Sequence, residues 1–274
     1  MPKLKNKKSL RLHRPPYPAG IELQYLAALL KILKNTRRLF DSLVMPHVRS
    51  GLEEMKRIRR FDDREFSFAD LYLIEEGAKQ AAAFTEDIIT TQGKILTEGI
   101  AETVDTSSQR TVNKNLKTLL GIDFFIETSW VASEIQVFAA NNISLIKSTN
   151  QQFLDRSKQT VLDGMRRGTS HRVIANQLYA RDKTALGTNS VFRSAKTRAA
   201  LIARDQVGKL NGDLTQVRYG KAGVKQFIWV TAGDTRVRPR HRRLNGRRFS
   251  MRRGASGLFP GYDYQCRCTM MPVL

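Results

Sequence analysis

Between residues 232 and 268 the chain places ten arginines, His241, Asp234, Asp263 and its only two cysteines, Cys266 and Cys268. Three kinds of chemistry use such a set. Thiolate and imidazole ligate zinc, a thiolate beside an imidazole is a covalent nucleophile, and guanidinium groups bind phosphate. Spacing weighs against the first two. His241, Cys266 and Cys268 are three candidate ligands and Asp234 a possible fourth, but structural zinc sites favour a Cys-x₂₋₄-Cys knuckle, and here one residue separates the cysteines. Two small side chains buried on one strand face are the simpler reading, and neither a metal nor another cofactor is expected. A Cys–His nucleophile needs a third group to orient the imidazole, and a thiol held on a strand is a poor mobile nucleophile. A His-Asn-His nuclease needs a later histidine, and His241 is the last of four after His13, His47 and His171. Phosphate-cradling glycine loops are absent, so no catalytic residue is assigned.

The arginines remain. Arg236, Arg238, Arg240, Arg242, Arg243, Arg247, Arg248, Arg252 and Arg253 fall within eighteen residues. No aromatic ladder alternates with them, which argues against stacking on single strands. No base-reading helix fits between Pro239 and Gly246, which argues against major-groove readout. Sequence-independent neutralisation of double-stranded DNA phosphates is the expected use.

The whole composition points the same way. The 274 residues carry a formal charge of +22, and 41% of them are apolar, enough for one or two domains with a core. The excess charge sits at the ends. Residues 1–60 hold 15 basic against 4 acidic residues, and residues 231–274 hold 10 against 2, while the stretch between is nearly balanced at 22 against 19. A polyanionic partner is implied. Two cysteines at i, i+2 make no disulfide framework, in keeping with a reducing cytoplasm during synthesis. The apolar run IELQYLAALLKIL is interrupted by Glu22, Gln24 and Lys31. It is too broken for a signal-peptide core and too short to span a bilayer, so no export signal and no membrane partner are expected.

These residues need elements to position them. Residues 1–19, with Pro15, Pro16 and Pro18, read as an extended basic arm that orders only on a partner. Residues 20–120 read as a helical N-terminal module of the kind that docks onto a larger assembly. Its first amphipathic helix is interrupted at Pro46. A second starts at Ser67 or Asp70 and is weakened or divided by Gly93, Gly99 and the Asp105-Thr-Ser-Ser108 cluster before it reaches Leu120. Gly121 is a joint. The stretch after it predicts two helices with a break at Asn141-Asn142. Gly168 ends the second, Thr169 or Ser170 caps a short helix from His171 to Tyr179, and an alanine-rich helix occupies 190–211. At QFIWVTA, 226–232, the composition turns β-branched and aromatic, which predicts a strand. Asn245-Gly246 is a hairpin signal with a short strand after it. CRCTMMPV closes the chain as a further strand, with both cysteines on one face. The fold class is mainly α with a small C-terminal antiparallel β-sheet (α+β). The sheet closes a clasp over 224–274, in which Trp229, Asp234, His241, Gly246, Cys266 and Cys268 are structural and the arginines form the working surface.

Taken in order, the stretches GIDFFIETSW, ISLIKS, GTSHRVIANQL and ARDQVGKLNG carry a resemblance that continues to the C-terminus. It runs on through Trp229-Val-Thr-Ala-Gly-Asp234, Arg236-Val-Arg238-Pro-Arg-His241, Leu244-Asn-Gly246, Phe249, Pro260 and Cys266-Arg-Cys268. Together these resemble, over about 120–274, the C-terminal signature of the phage Mu F-like minor head proteins, the phage head morphogenesis domain, with the domain placed at 121–274. Many members have Cys-x-x-Cys where this chain has Arg238-Pro-Arg-His241. Many also have a His-Pro pair where it has Pro260-Gly261, and both departures remove ligands that a zinc site would use. The resemblance implies a structural, non-enzymatic component of the tailed-phage virion. Such a protein works at the portal inside the head, with the portal protein or major capsid protein and packaged double-stranded DNA as partners, and passes through the host cytoplasm during assembly. Its role lies in head assembly and in genome packaging or ejection. The alternative is a free nucleic-acid-binding protein, or a metal-dependent enzyme or toxin-like domain on the same scaffold.

Overall fold

A computed structural model describes residues 14–58, 68–121, 123, 126–179 and 190–273. The elements run α1 (Ala19–Leu43), α2 (Met45–Ile58), α3 (Phe68–Leu120), α4 (Val131–Arg166), α5 (His171–Tyr179), α6 (Val191–Lys221), β1 (Gln226–Val230), α7 (Pro239–Arg242), β2 (Arg248–Ser250) and β3 (Thr269–Val273). The chain is mainly α-helical with a small antiparallel sheet near its C-terminus. Two compact units interleave along it. One comprises Met1–Tyr25, Thr97–Ala139 and Ala203–Leu274, and the other comprises Leu26–Leu96 and Ala140–Ile202.

Several boundaries follow from single residues. Pro18 ends the non-helical lead-in and α1 starts at the next residue, because the proline ring cannot continue a helix backwards. The first helical stretch breaks at Val44, so that Pro46 falls in the opening turn of α2, where its missing N–H costs nothing. Gly121 and Gly168, with φ of +74° and +61°, follow the ends of α3 and α4. That left-handed conformation is the usual glycine stop. Ser170 precedes α5, and its Oγ lies 3.5 Å from the backbone N of Val173.

Four expectations are corrected. Helix α3 is not divided: it runs unbroken for 53 residues. Its Thr hydroxyls turn back onto the preceding turn, Thr103 onto Gly99 O at 2.7 Å, Thr106 onto Glu102 O at 2.9 Å and Thr111 onto Ser107 O at 3.0 Å. They therefore do not compete for the helical N–H groups. Ser108, fully buried, meets Thr215 Oγ1 at 3.1 Å. Helix α4 begins at Val131 rather than near Gly121 and passes through Asn141-Asn142 without a break. Its buried stripe Asn142, Ile146, Asn150 and Phe153 keeps helical spacing, and Thr36 Oγ1 donates to Asn150 Oδ1 at 2.7 Å. Packing and a side-chain partner outweigh the weak intrinsic preference of asparagine. Helix α6 extends ten residues past the expected end, to Lys221, because Leu210, Leu214 and Tyr219 continue its buried face.

The fourth correction concerns the arm. Residues 1–13 lie outside the described residues. Residues 14–18 are non-helical as expected, but they are seated on their own unit. Pro15 O accepts from Thr269 Oγ1 at 2.9 Å and Tyr17 donates to Arg204 O at 3.1 Å.

The second unit is a helical core around Leu33, Phe40, Val48, Ile74, Phe153 and Leu178. The first unit holds the sheet, in the order β2-β1-β3. Central β1 pairs Phe227 with Phe249 on one side, and Phe227 with Pro272 and Trp229 with Met270 on the other. Pro272 is tolerated because β3 is an edge strand. Phe227 and Trp229, alternate residues of β1, are both fully buried in a cluster with Tyr219, Phe259, Cys266, Cys268 and Met270. Among the described residues, no helix is long and apolar enough to cross a membrane.

Candidate functional site

The segment between β1 and β2 is closed at its base. Trp229 and the turn exchange main-chain hydrogen bonds, Gly246 N to Trp229 O at 2.8 Å and Trp229 N to Arg247 O at 3.0 Å. Asn245 Oδ1 accepts from Thr231 N at 2.9 Å and from Thr231 Oγ1 at 3.1 Å. Gly246 has φ +77°, a conformation that a side chain would strain. The loop so tied holds the four-residue α7, with Pro239 in its first turn.

Two carboxylates organise this loop. Asp234, just past Gly233, accepts from Arg236 N at 3.2 Å, and its second oxygen pairs with Arg236 and Arg267. The hydrogen bond from Arg267 is the main cause that holds its carboxyl below the usual aspartate range. Asp263 receives Arg240, Arg238 Nη1 at 3.5 Å and His241 Nε2 at 2.9 Å. Burial works against its ionisation, but Arg240, Arg238 and His241 together outweigh burial and hold the carboxyl below its ordinary value. Arg238 also donates to Tyr264 O at 2.6 Å and Arg242 to Thr235 O at 2.8 Å.

His241 stands at the centre. It is 2% exposed, and its ring meets Trp229 edge-on at 5.4 Å. Its Nδ1 faces both sulfurs, Cys266 Sγ at 3.6 Å and Cys268 Sγ at 3.5 Å. The cysteines are not part of the closing strand, which starts one residue later at Thr269. A turn closed by Cys266 N on Asp263 O at 2.9 Å, with Gln265 at φ +56°, sets their position instead. Both are nevertheless buried on the side of His241 while Arg267 reaches Asp234. Asp234 does not join the sulfur–imidazole cluster, because its oxygens are taken by arginines. A cavity of about 270 Å³ borders the cluster, lined by Arg204, Arg236, Arg238 and Arg267 as well as the three soft side chains.

The nine arginines of the loop divide. Arg236, Arg238, Arg240 and Arg242 have the internal partners just described. Arg243, Arg247, Arg248, Arg252 and Arg253 are all exposed, and none has a carboxylate partner among the described residues.

Sequence reasoning missed three residues of this unit. Asp205, on α6, accepts from Gln265 N at 2.8 Å and from Lys209 at 2.8 Å, and so anchors the turn that carries the cysteines. Arg218 is fully buried, pairs with Asp105 and lies 5.7 Å from the Trp130 ring centre. Asp213 borders a second cavity of about 600 Å³ with Trp130, Glu134 and Tyr262. Burial pushes its carboxyl up to about 6, offset in part by the neighbouring Tyr262 hydroxyl and Lys209. No local pattern marks these residues, since each sits in a helix and acts on a segment far along the chain.

Fold and site together define a helical chain closed by a small sheet whose long connection is held by partly exposed Asp–Arg pairs and by Asp263 on the buried His241. Residues 155–271 match the family described as Phage Mu protein F like protein. That segment is similar to the Mu F-like family, in keeping with the resemblance carried by the C-terminal motifs. The match begins within α4, later than the resemblance read from the sequence. The chain is also 33% identical over 189 residues to an uncharacterized protein of Haemophilus influenzae, covering 68% of this chain and 40% of that protein. It is 32% identical over 130 residues to an uncharacterized protein of Methanocaldococcus jannaschii, covering 47% and 18%. The chain thus spans less than half the length of either relative. No solved structure matches it.

Proposed function

We propose that this chain is a minor head protein of a tailed bacteriophage, positioned at the portal vertex inside the head and touching packaged double-stranded DNA without reading its sequence. Its role is structural, in head assembly and in genome packaging or ejection, with the portal protein or the major capsid protein as protein partner. The family match supports the phage-head part of this reading. The observation that carries the DNA contact is the set of five exposed arginines, 243, 247, 248, 252 and 253, that no described carboxylate neutralises. Guanidinium groups left unpaired in water are free to displace the counterions of a phosphate backbone.

Two measurements test this. In particles banded on a density gradient, the chain should stay with the heads. Binding of the purified chain to duplexes of unrelated sequence should be equal. For five phosphate contacts the slope of log affinity against log salt should be about −4.5. Absence from banded heads would remove the virion assignment, and sequence preference or a flat salt dependence would remove the DNA contact.

A further inference from the structure

We infer that His241, Cys266 and Cys268 form a zinc site, with Asp263 as the residue that orients the imidazole. The Cys-x-Cys spacing argued against a metal in the sequence, but the folded geometry points the other way. Three ligand atoms, one from each residue, lie within 4.8 Å of one another, and all three residues are buried. The two N···S separations, 3.6 and 3.5 Å, can be compared with a tetrahedral site. Zinc bonds of about 2.3 Å to sulfur and 2.0–2.1 Å to nitrogen at a tetrahedral angle place N and S about 3.6 Å apart. The side chains already stand at that spacing.

The tautomer is right as well. Nε2 lies 2.9 Å from Asp263 Oδ2, and a carboxylate there accepts the Nε2 proton. That leaves the lone pair on Nδ1, the atom that faces both sulfurs. A carboxylate behind a ligating histidine is the common outer support of metal sites, fixing ring orientation and raising basicity. Two thiolates and a neutral imidazole around a divalent ion give a neutral centre, which can sit beside Trp229 without an uncompensated charge. Sulfur with imidazole selects zinc over hard cations such as magnesium or calcium. The bordering cavity of about 270 Å³ leaves room for a water as the fourth ligand.

Such an ion would tie α7 directly to the segment that leads into β3. It also explains why two thiols and an imidazole converge inside an apolar cluster, where Cys266 and Cys268 as plain fillers would have no need of the ring.

The test uses the full-length, untagged, reduced protein and Co²⁺, then Zn²⁺, as probes. One Co²⁺ per chain should bind with tetrahedral d–d absorption and a charge-transfer band of two-thiolate intensity, and Zn²⁺ should displace it. Cys266→Ser or Cys268→Ser should halve that band or abolish binding. Asp263→Asn should leave the ligand spectrum unchanged and weaken affinity about 10–100-fold. Because a serine variant can fail to fold, the wild type supplies its own control. The chain has only two cysteines, so one equivalent of Zn²⁺ should protect both from alkylation. Failure of the reduced wild type to take up stoichiometric Co²⁺, absence of thiol protection, or wild-type binding by folded Cys266→Ser overturns the site.

Discussion

Residues 234–242 and residues 243–253 contain the same side chain in similar density, yet the structure puts them to different uses. In the first stretch Arg236, Arg238, Arg240 and Arg242 point back into the loop, toward Asp234, Asp263 and two backbone carbonyls. In the second, Arg243, Arg247, Arg248, Arg252 and Arg253 point to solvent. The difference lies in where acids are available. The only two acidic residues of 231–274, Asp234 and Asp263, are both spent on the first stretch. A count of arginines therefore overstates the charge free for a partner, and five rather than nine is the relevant number.

The strongest way to break this comparison is to remove each set in turn. Replacing Arg243, Arg247, Arg248, Arg252 and Arg253 with alanine should bring the salt slope of duplex binding from about −4.5 close to zero, with the melting temperature unchanged. Replacing Arg236, Arg238, Arg240 and Arg242 should lower the melting temperature and keep most of the slope. If removal of Arg236, Arg238, Arg240 and Arg242, and not of the five solvent-facing arginines, flattens the slope, the division is wrong.

A smaller effect isolates the carboxylate that serves the inner set. Asp263→Ala leaves buried His241 and two guanidinium groups without their acceptor. It should cost about 3 kcal/mol in denaturant unfolding and spare DNA binding at a temperature where the variant is folded. Asp205→Asn acts one step further back, weakening the acceptor of Gln265 N and Lys209. A loss of about 2 kcal/mol is expected, and with it faster alkylation of the two cysteines in metal-free protein.

The least of these effects is in the pH dependence of stability, where the two kinds of acid have opposite signs. Asp234 and Asp263 ionise more readily folded than unfolded, so their contribution is present above the ordinary aspartate value and is lost as pH falls from there through the lowered folded one. Asp213, raised from 3.8 to about 6, does the reverse. The unfolded chain ionises first, so stability declines as pH rises from about 4 to 6. Thermal melts of Asp213→Asn should lack that decline and match or exceed wild type at pH 7. A wild-type profile in the variant would show that Asp213 titrates normally.

Much of this was legible in the chain itself, and the reasons are local. Pro18, Gly121 and Gly168 act through their own backbone, so a single residue marks a boundary. The change at Phe227 to aromatic and β-branched residues marks a strand whose two neighbours were also expected. What could not be read depends on partners distant in sequence. The Asp105-Thr-Ser-Ser108 cluster looks like a helix breaker until Arg218 and Thr215 are placed beside it. Asn141-Asn142 looks like a turn until the buried stripe is seen to run through it. Cys266 and Cys268 were expected on a strand face. Their true position depends on Asp205, sixty residues earlier, and their common neighbour His241 comes from a helical turn that is only four residues long.

Gly208 and Gly212, one turn apart on α6, carry a consequence for how the molecule assembles. A Cβ on Gly208 would stand 2.7 Å from Cys266 O, and one on Gly212 would stand 2.5 Å from Pro260 O. The main chain of 260–266 is thus laid directly on bare helix backbone. Two interior glycines weaken a helix by about 2 kcal/mol relative to alanine, so this part of α6 is a poor helix by itself. Its helicity and the seating of the loop become one event: neither persists without the other, and the amides around 208–212 should exchange with solvent whenever the 260–266 segment lifts. Alanine at either position, ordinarily a stabilising change in a helix, would here strengthen the isolated helix while evicting the strap that completes the fold.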